Sequence, residues 1–286
     1  MRIATFRSAV PVSVTEQMGA STGFSDVDGS GRSADLVDYL TLVASRMAGF
    51  RRQGNELLRL VPGSVVLDVG CGAGEMCVDF ANRVGPGGRV VGIDPSTAMI
   101  EAARRAAGDS VCPIELQVAS AYELPFPEES FDAVRAERVF QHLDRPEVAL
   151  REMLRVTKHG GRLLLMDPDH GQASVAVDEP VQRRVFEASR RSLLSMIVNP
   201  HSGVKLRAMM IRAGLVDVTQ VAQVLEIAHE DFQRSFFLHD LLEAAIAREE
   251  ITRSEAAGFF DAITQREREG TFYACAVGYA VAGTRP

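Results

Sequence analysis

Between Val65 and Met166 the chain alternates between two kinds of apolar pattern. Short β-branched runs occupy Val65–Val69, Arg89–Ile93, Ile114–Val118, Phe131–Arg135 and Arg162–Met166. Between them, apolar residues recur every three or four positions over Glu75–Val84, Ser96–Ala107 and Arg145–Thr157. Nearly continuous apolar strands alternating with amphipathic helices predict an α/β fold: a doubly wound parallel sheet covered on both faces, with right-handed crossovers. Upstream, Ala34–Leu60 has helical spacing and stops at the turn signal "VPG". Residues 1–33 are rich in Ser, Gly and Thr, and "GFSDVDGSGRS" reads as a mobile lead-in.

The last third is less regular. Val181–Ile197 and Gly203–Ala213 read as helices, Val216–Ile227 as a strand, Asp231–Glu269 as helical and Phe272–Val281 as a closing strand. Helical tracts that interrupt a sheet pattern are expected above its ligand-binding edge. The expected organisation is an N-terminal helical cap over residues 1–50 and one sheet domain over 51–286. Helical inserts fall at about 170–213 and 229–269, and no linker divides that domain.

Composition narrows the class. The 286 residues carry a formal net charge of −7, which disfavours a sequence-independent nucleic-acid binder with a basic face. No apolar stretch approaches the ~20 residues of a membrane helix, and no secretory signal is evident at the N-terminus. Cys71, Cys77, Cys112 and Cys275 lack CxxC spacing, and the six histidines are scattered. We expect reduced, mostly buried thiols, no metal site and a cytoplasmic protein.

In open α/β sheets ligands bind beyond the carboxyl ends of the strands, so the turn after the first strand carries most information. It reads Gly70-Cys71-Gly72-Ala73-Gly74-Glu75. A P-loop would need a Lys-Ser/Thr pair after the glycines, and none is present. A dinucleotide fingerprint would place Glu75 beside a pyrophosphate, where a carboxylate repels phosphate at the helix N-terminus. Asp68 ends the first strand, where it could face a cation. Asp94 ends the second, positioned to accept hydrogen bonds from both ribose hydroxyls. A ligand with a ribose, a cationic centre and no phosphate is S-adenosylmethionine.

At these residues a resemblance becomes specific. "VLDVGCGAG", "VVGIDPSTAMIEAAR", "ASAYELPFPEESFDAVRAERVFQHLDRPEVALREMLRVTKHGGRLLLMDPD" and "GYAVAGTRP" resemble, in order, the class I S-adenosylmethionine-dependent methyltransferases. The likeness runs from about Arg51 to Pro286 and is strongest to the small-molecule branch of ubiquinone/menaquinone-biosynthesis enzymes. It implies a mostly parallel seven-stranded Rossmann-like sheet with a helical lid. It also implies that Gly70 and Gly72 let the backbone approach the methionine part, with Cys71 in the same loop. Asp94 and Pro95 would lie at the ribose, Met99 near the adenine, and Arg51 at the methionine carboxylate, unless Arg51 is a solvated helix charge. Ser120-Ala121 departs from the family's Asp-Ala, replacing an acceptor for the adenine amine with a shorter, uncharged one.

Methyl transfer from a sulfonium donor requires mainly that the nucleophile be held in line and water excluded. A base is needed only where the nucleophile must lose a proton. His142, in "ERVFQHLDRP", and His170, after Asp167-Pro168-Asp169, are the candidate bases; hydrogen-bonded structural histidines are the alternative. Glu137 and Arg138 would line the cofactor pocket. His201 and His239 lie in the irregular tracts and could face substrate. "RAERVFQ" lacks the Asn/Asp-Pro-Pro-aromatic stretch of nucleic-acid amino-methyltransferases, which favours a small organic acceptor. Apolar residues such as Phe186, Leu193, Met196, Ile197, Phe232, Phe236 and Phe237 suggest that this acceptor is apolar; most of them would pack helices and some contact substrate. A homodimer is compatible with this reading. Three alternatives stay open: a non-methylating use of the same cofactor (cyclisation, rearrangement or hydroxylation), a non-catalytic S-adenosylmethionine-binding protein, and a nicotinamide-dependent dehydrogenase.

Overall fold

The computed structural model describes residues 28–29, 47–108, 110–235 and 238–286. Seven strands form one sheet in the order β3-β2-β1-β4-β5-β7-β6. Five are parallel: β1 (Val65–Val69), β2 (Arg89–Asp94), β3 (Ile114–Val118), β4 (Phe131–Glu137) and β5 (Thr157–Val175). β6 (Val216–Glu226) and β7 (Ala274–Thr284) close the sheet with antiparallel pairing. Strand order reverses at β1, so the loops after β1 and β4 open side by side, as binding at a switch point requires.

Alternation along the strands sorts their side chains onto two faces. Leu67, Val69, Val134 and Ala136 meet α4 (Pro146–Val156) and α6 (Ser202–Arg212) on one face. Val66 and Ala133 meet α1 (Ala48–Glu56), α2 (Glu75–Val84) and α3 (Thr97–Ala107) on the other. The spacings that predict α2, α3 and α4 therefore have their physical cause in two buried sheet faces.

The remaining helices build a second core at the carboxyl edge. α5 (Pro180–Met196), α7 (His229–Ser235), α8 (Leu238–Ala247) and α9 (Arg253–Arg268) pack around Val185, Phe186, Phe232, Leu242, Phe259 and Ile263. They rest on Ala173 and Val175, where β5 continues past its parallel neighbours and pairs with the start of β7.

Several expectations change. The single helical tract over Asp231–Glu269 is broken after α8: Glu249 adopts left-handed backbone with φ 58°, and Thr252 with Glu255 forms a capping box that restarts the chain as α9. The helix expected at Gly203–Ala213 is not part of the lid, because α6 buries Leu206 and Met210 against the sheet. β5 extends far beyond Arg162–Met166 because β7 supplies hydrogen-bonding partners as far as Val175. The helix over Ala34–Leu60 ends at Glu56, followed by a turn in which Arg59 has φ 53°; its first part, like most of the 1–50 cap, lies outside the described residues. Of the residues read as a lead-in, Asp28 lies at the start of α3. Its carboxylate accepts from Ser96 Oγ at 2.6 Å and from the backbone N–H of Thr97 at 2.8 Å and Ala98 at 3.2 Å. Phe186, Phe232, Leu193 and Ile197 are core residues between helices, with Met196 packed against them; the side chains of Phe236 and Phe237 lie outside the description.

Phe259 is fully buried in a core made only by the lid and the strand ends beneath it. Phe259→Ala is expected to cost about 3–5 kcal/mol. Hydrogen exchange should show faster exchange of α7–α9 amides while β1, β2 and β4 stay protected; uniform loss of protection would contradict a separate lid core.

Candidate functional site

The loop after β1 is shaped by its backbone. Gly70 has φ 71°, and a Cβ there would stand 2.3 Å from Val139 Cγ2, so only glycine lets this turn meet the loop after β4. The Gly70 and Cys71 N–H groups both donate to the Ile93 carbonyl, at 2.7 and 2.9 Å. Asp94 completes the join, with Oδ2 accepting from Gly72 N–H and Oδ1 from Ser96 N–H, each at 3.0 Å. The ribose-binding candidate thus also fixes the glycine loop. Burial raises the Asp94 carboxyl above its ordinary value, although the two N–H donors oppose the shift.

Register places Asp68 directly beside Arg135 on neighbouring parallel strands. Arg135 is fully buried, with its guanidinium 5.7 Å from the Phe80 ring centroid. It donates to Asp68 Oδ1 at 2.8 Å, to Asn55 Oδ1 at 3.0 Å and to the Glu137 carboxylate. Arg51 then reaches across from α1, 2.7 Å from Glu137 Oε1 and 3.2 Å from Glu75 Oε2. Burial pushes Glu137 up, but Arg135 and Arg51 outweigh it and hold the carboxyl below its usual range. Burial keeps Asp68 raised despite Arg135. Asp68 thus stands in the site with Oδ1 on Arg135, whose charge it helps to balance.

These groups surround a cavity of about 320 Å³. Its walls include every cofactor candidate named from the sequence: Arg51, Asp68, Gly70, Cys71, Gly72, Asp94, Pro95, Met99, Ser120, Ala121, Glu137 and Arg138. Met99 is buried, and Ser120 Oγ accepts the Tyr122 N–H at 3.2 Å. Arg135, Tyr122, Val139 and Leu143 also line it and escaped the sequence reading. For Arg135 a signal existed, since a charge inside an otherwise buried strand needs a buried partner. The cavity fits S-adenosylmethionine: Asp68, Glu75, Asp94 and Glu137 outnumber the guanidinium groups of Arg51, Arg135 and Arg138, which suits a phosphate-free cationic nucleoside and disfavours a pyrophosphate.

The two candidate bases occupy different places. His142 lines the cavity, whereas His170 stands behind that wall near the end of β5. Gln141 joins them. Its amide nitrogen donates to the Arg138 carbonyl at 3.2 Å, which fixes the amide's orientation. The same nitrogen lies 2.9 Å from His142 Nε2, and its oxygen lies 2.8 Å from His170 Nε2. His142 therefore accepts through Nε2, and His170 donates through Nε2. Burial, reinforced by Arg138, lowers His142 to about 4 and His170 to about 3. Both are neutral and weak as bases at neutral pH. Beneath them Asp167 is buried and pushed up to about 7, only partly opposed by the nearby Ser202 hydroxyl, Gln141 backbone and Arg138.

Among the described residues no helix is long and apolar enough to cross a membrane, and no group of three or more metal-ligating side chains converges. All four cysteines are free thiols, three of them buried.

Comparison with known proteins agrees with this geometry. Residues 67–165 match a family described as "Methyltransferase domain". The ubiquinone/menaquinone biosynthesis C-methyltransferase UbiE of Ectopseudomonas mendocina is 30% identical over 223 residues, covering 69% of this chain and 87% of that one. The demethylmenaquinone methyltransferase of Symbiobacterium thermophilum is 38% identical over 108 residues, 37% of this chain and 43% of its own. The crystal structure of the YcgJ protein of Bacillus subtilis superimposes with a TM-score of 0.57 at 23% identity, covering 80% of this chain and 95% of that one. The chain belongs to the class I S-adenosylmethionine-dependent methyltransferases. Within them it resembles the UbiE group. The match spans 54%, 56% and 43% of the length of three curated relatives, about half of each.

Asp94→Ala removes a pocket-wall carboxylate and the anchor of the glycine loop together. Calorimetry is expected to show S-adenosylhomocysteine affinity lower by ~10–100-fold, the equivalent of one or two lost charge-assisted hydrogen bonds. Unchanged affinity would remove Asp94 from the site.

Proposed function

We propose that the protein transfers the methyl group of S-adenosylmethionine to a small, apolar organic acceptor. The observation that carries this reading is the cavity itself, where the glycine loop, Asp94 and a surplus of carboxylate over guanidinium meet at the sheet's switch point. When bound, the cofactor supplies an electrophilic sulfonium methyl. The chain's own residues bind and orient it: Asp94 takes the ribose hydroxyls, Met99 packs at the adenine, and Ser120 offers the adenine amine a short, neutral acceptor. Arg51 reaches the methionine carboxylate, exchanging its exposed Glu75 contact for the ligand while keeping Glu137.

His142 and His170 serve in this reading as neutral parts of the wall, oriented through Gln141, rather than as proton acceptors. The lid helices exclude water above the edge, a condition for rapid displacement at a sulfonium. An apolar acceptor, quinone-like in the simplest case, agrees with the printed names of the UbiE-type relatives. The net charge of −7 agrees with a free small molecule rather than a nucleic acid as substrate.

Purified protein incubated with S-adenosylmethionine and a panel of quinols, phenols and small polar amines is expected to release S-adenosylhomocysteine with the apolar hydroxyl compounds. Turnover of polar amines alone would contradict the acceptor class. Conversion of an acceptor without S-adenosylhomocysteine would replace transfer by a non-methylating use of the cofactor, and calorimetric preference for NAD would overturn the cofactor.

A further inference from the structure

The cofactor cavity takes its walls from the ends of β1, β2 and β4 and from the turn after β3. Neither β5, which lies beside β4, nor the chain that follows it contributes a described residue to that lining. Polar groups nevertheless gather toward the end of β5. Asp167, Asp169 and His170 come from this strand, and His201 and Ser202 come from the start of α6. Both carboxylate oxygens of Asp167 and Ser202 Oγ are buried without a hydrogen bond of proper geometry. A ligand-binding edge with unsatisfied acceptors is a place for a ligand that carries a donor.

One pair in this cluster is built as a proton-accepting device. The buried Asp169 carboxylate lies 2.9 Å from His201 Nδ1 and also accepts from the Gly171 N–H at 2.9 Å. Gln172 approaches its other oxygen at 3.5 Å and is held in turn by Tyr279 Oη at 2.9 Å. Gly171 is required for the ring to lie there, because a Cβ would stand 2.2 Å from His201 Cε1. A carboxylate on Nδ1 selects the Nδ1–H tautomer and leaves the Nε2 lone pair for another partner. The His201 side chain is 46% exposed, whereas His142 and His170 are half-buried. Its segment is joined to the turn that carries His142 and to β5: Asn199 N–H donates to the Gln141 carbonyl at 2.9 Å, and His170 N–H donates to the Pro200 carbonyl at 2.9 Å.

We propose that the end of β5 is the acceptor half of the site, that the acceptor presents a phenolic or enolic hydroxyl there, and that His201, backed by Asp169, takes its proton. The O–H bond breaks and its proton goes to His201 Nε2; the electron pair left on oxygen forms the new bond to the methyl carbon as the methyl–sulfur bond breaks, its electrons staying on sulfur in S-adenosylhomocysteine. Asp169 stabilises the resulting imidazolium, and the exposed ring returns the proton to water. This inference rests on the methyl-transfer reading and adds the class of reacting group and the base.

The test uses 4-nitrophenol, whose absorbance separates the ionised from the neutral phenol, with full-length protein saturated with S-adenosylhomocysteine. Below the pKa of the free phenol, wild-type protein is expected to show the ionised band. His201→Gln and Asp169→Asn should each lower the ionised fraction at least ~10-fold, the equivalent of one pKa unit. Long-range ¹H–¹⁵N spectra of the imidazole should show Nδ1–H in the wild type and loss of that preference in Asp169→Asn. No ionised band with the wild type, or an equal band with His201→Gln, overturns the inference. Calorimetry on the same samples separates the two readings: failure to bind S-adenosylhomocysteine sinks the methyltransferase reading, whereas normal binding without ionisation sinks only the assignment of His201.

Discussion

Arg135 holds a positive charge in the middle of a buried strand, and the site is arranged around that fact. A guanidinium removed from water is tolerated only where opposite charge and hydrogen-bond acceptors surround it. Asp68, Glu137 and Asn55 provide them, and they come from β1, β4 and α1. Removing any one element would strand a buried charge. The network thereby ties the glycine-loop strand, the strand carrying the opposite wall and the helix that brings Arg51 into one unit.

The same contacts set the chemistry of the cavity. Arg135 sits between Asp68 and Glu137 and offsets part of the carboxylate charge deep in the site, while Asp94 braces the glycine loop. Arg51 is shared between Glu137 and the more exposed Glu75, which allows one contact to be exchanged without leaving the arginine unpaired. Around β5 the balance differs. There Asp167 remains without a good partner, while Asp169 is fully engaged by His201, Gly171 and Gln172.

Much of this was legible in the chain. The alternation of apolar runs located the five parallel strands because both sheet faces are buried, and the glycine turn with Asp94 pointed to the cavity because close backbone approach and a terminal carboxylate leave a local signature. The pairing of Asp68 with Arg135 was not legible, since the two lie 67 positions apart and only strand register brings them together. Arg135 escaped notice for the same reason. His142 and His170 stood out by position, yet their bonding through Gln141 and their burial depend on how the turn over Phe140–His142 packs. The break between α8 and α9 depended on local stops at 249–252 that apolar spacing does not register.

Urea denaturation of Arg135→Met at pH 5 and pH 8 addresses the role of the buried charge most directly. Without the guanidinium, Asp68 and Glu137 face each other in the interior, and their folded-state pKa values rise above the unfolded ones. The folded variant is then least penalised below the unfolded carboxylate range and loses stability as pH rises through the raised values. We expect a loss of about 3–5 kcal/mol at pH 8, clearly smaller at pH 5. Equal stability of variant and wild type at pH 8 would contradict the dependence of the site on Arg135.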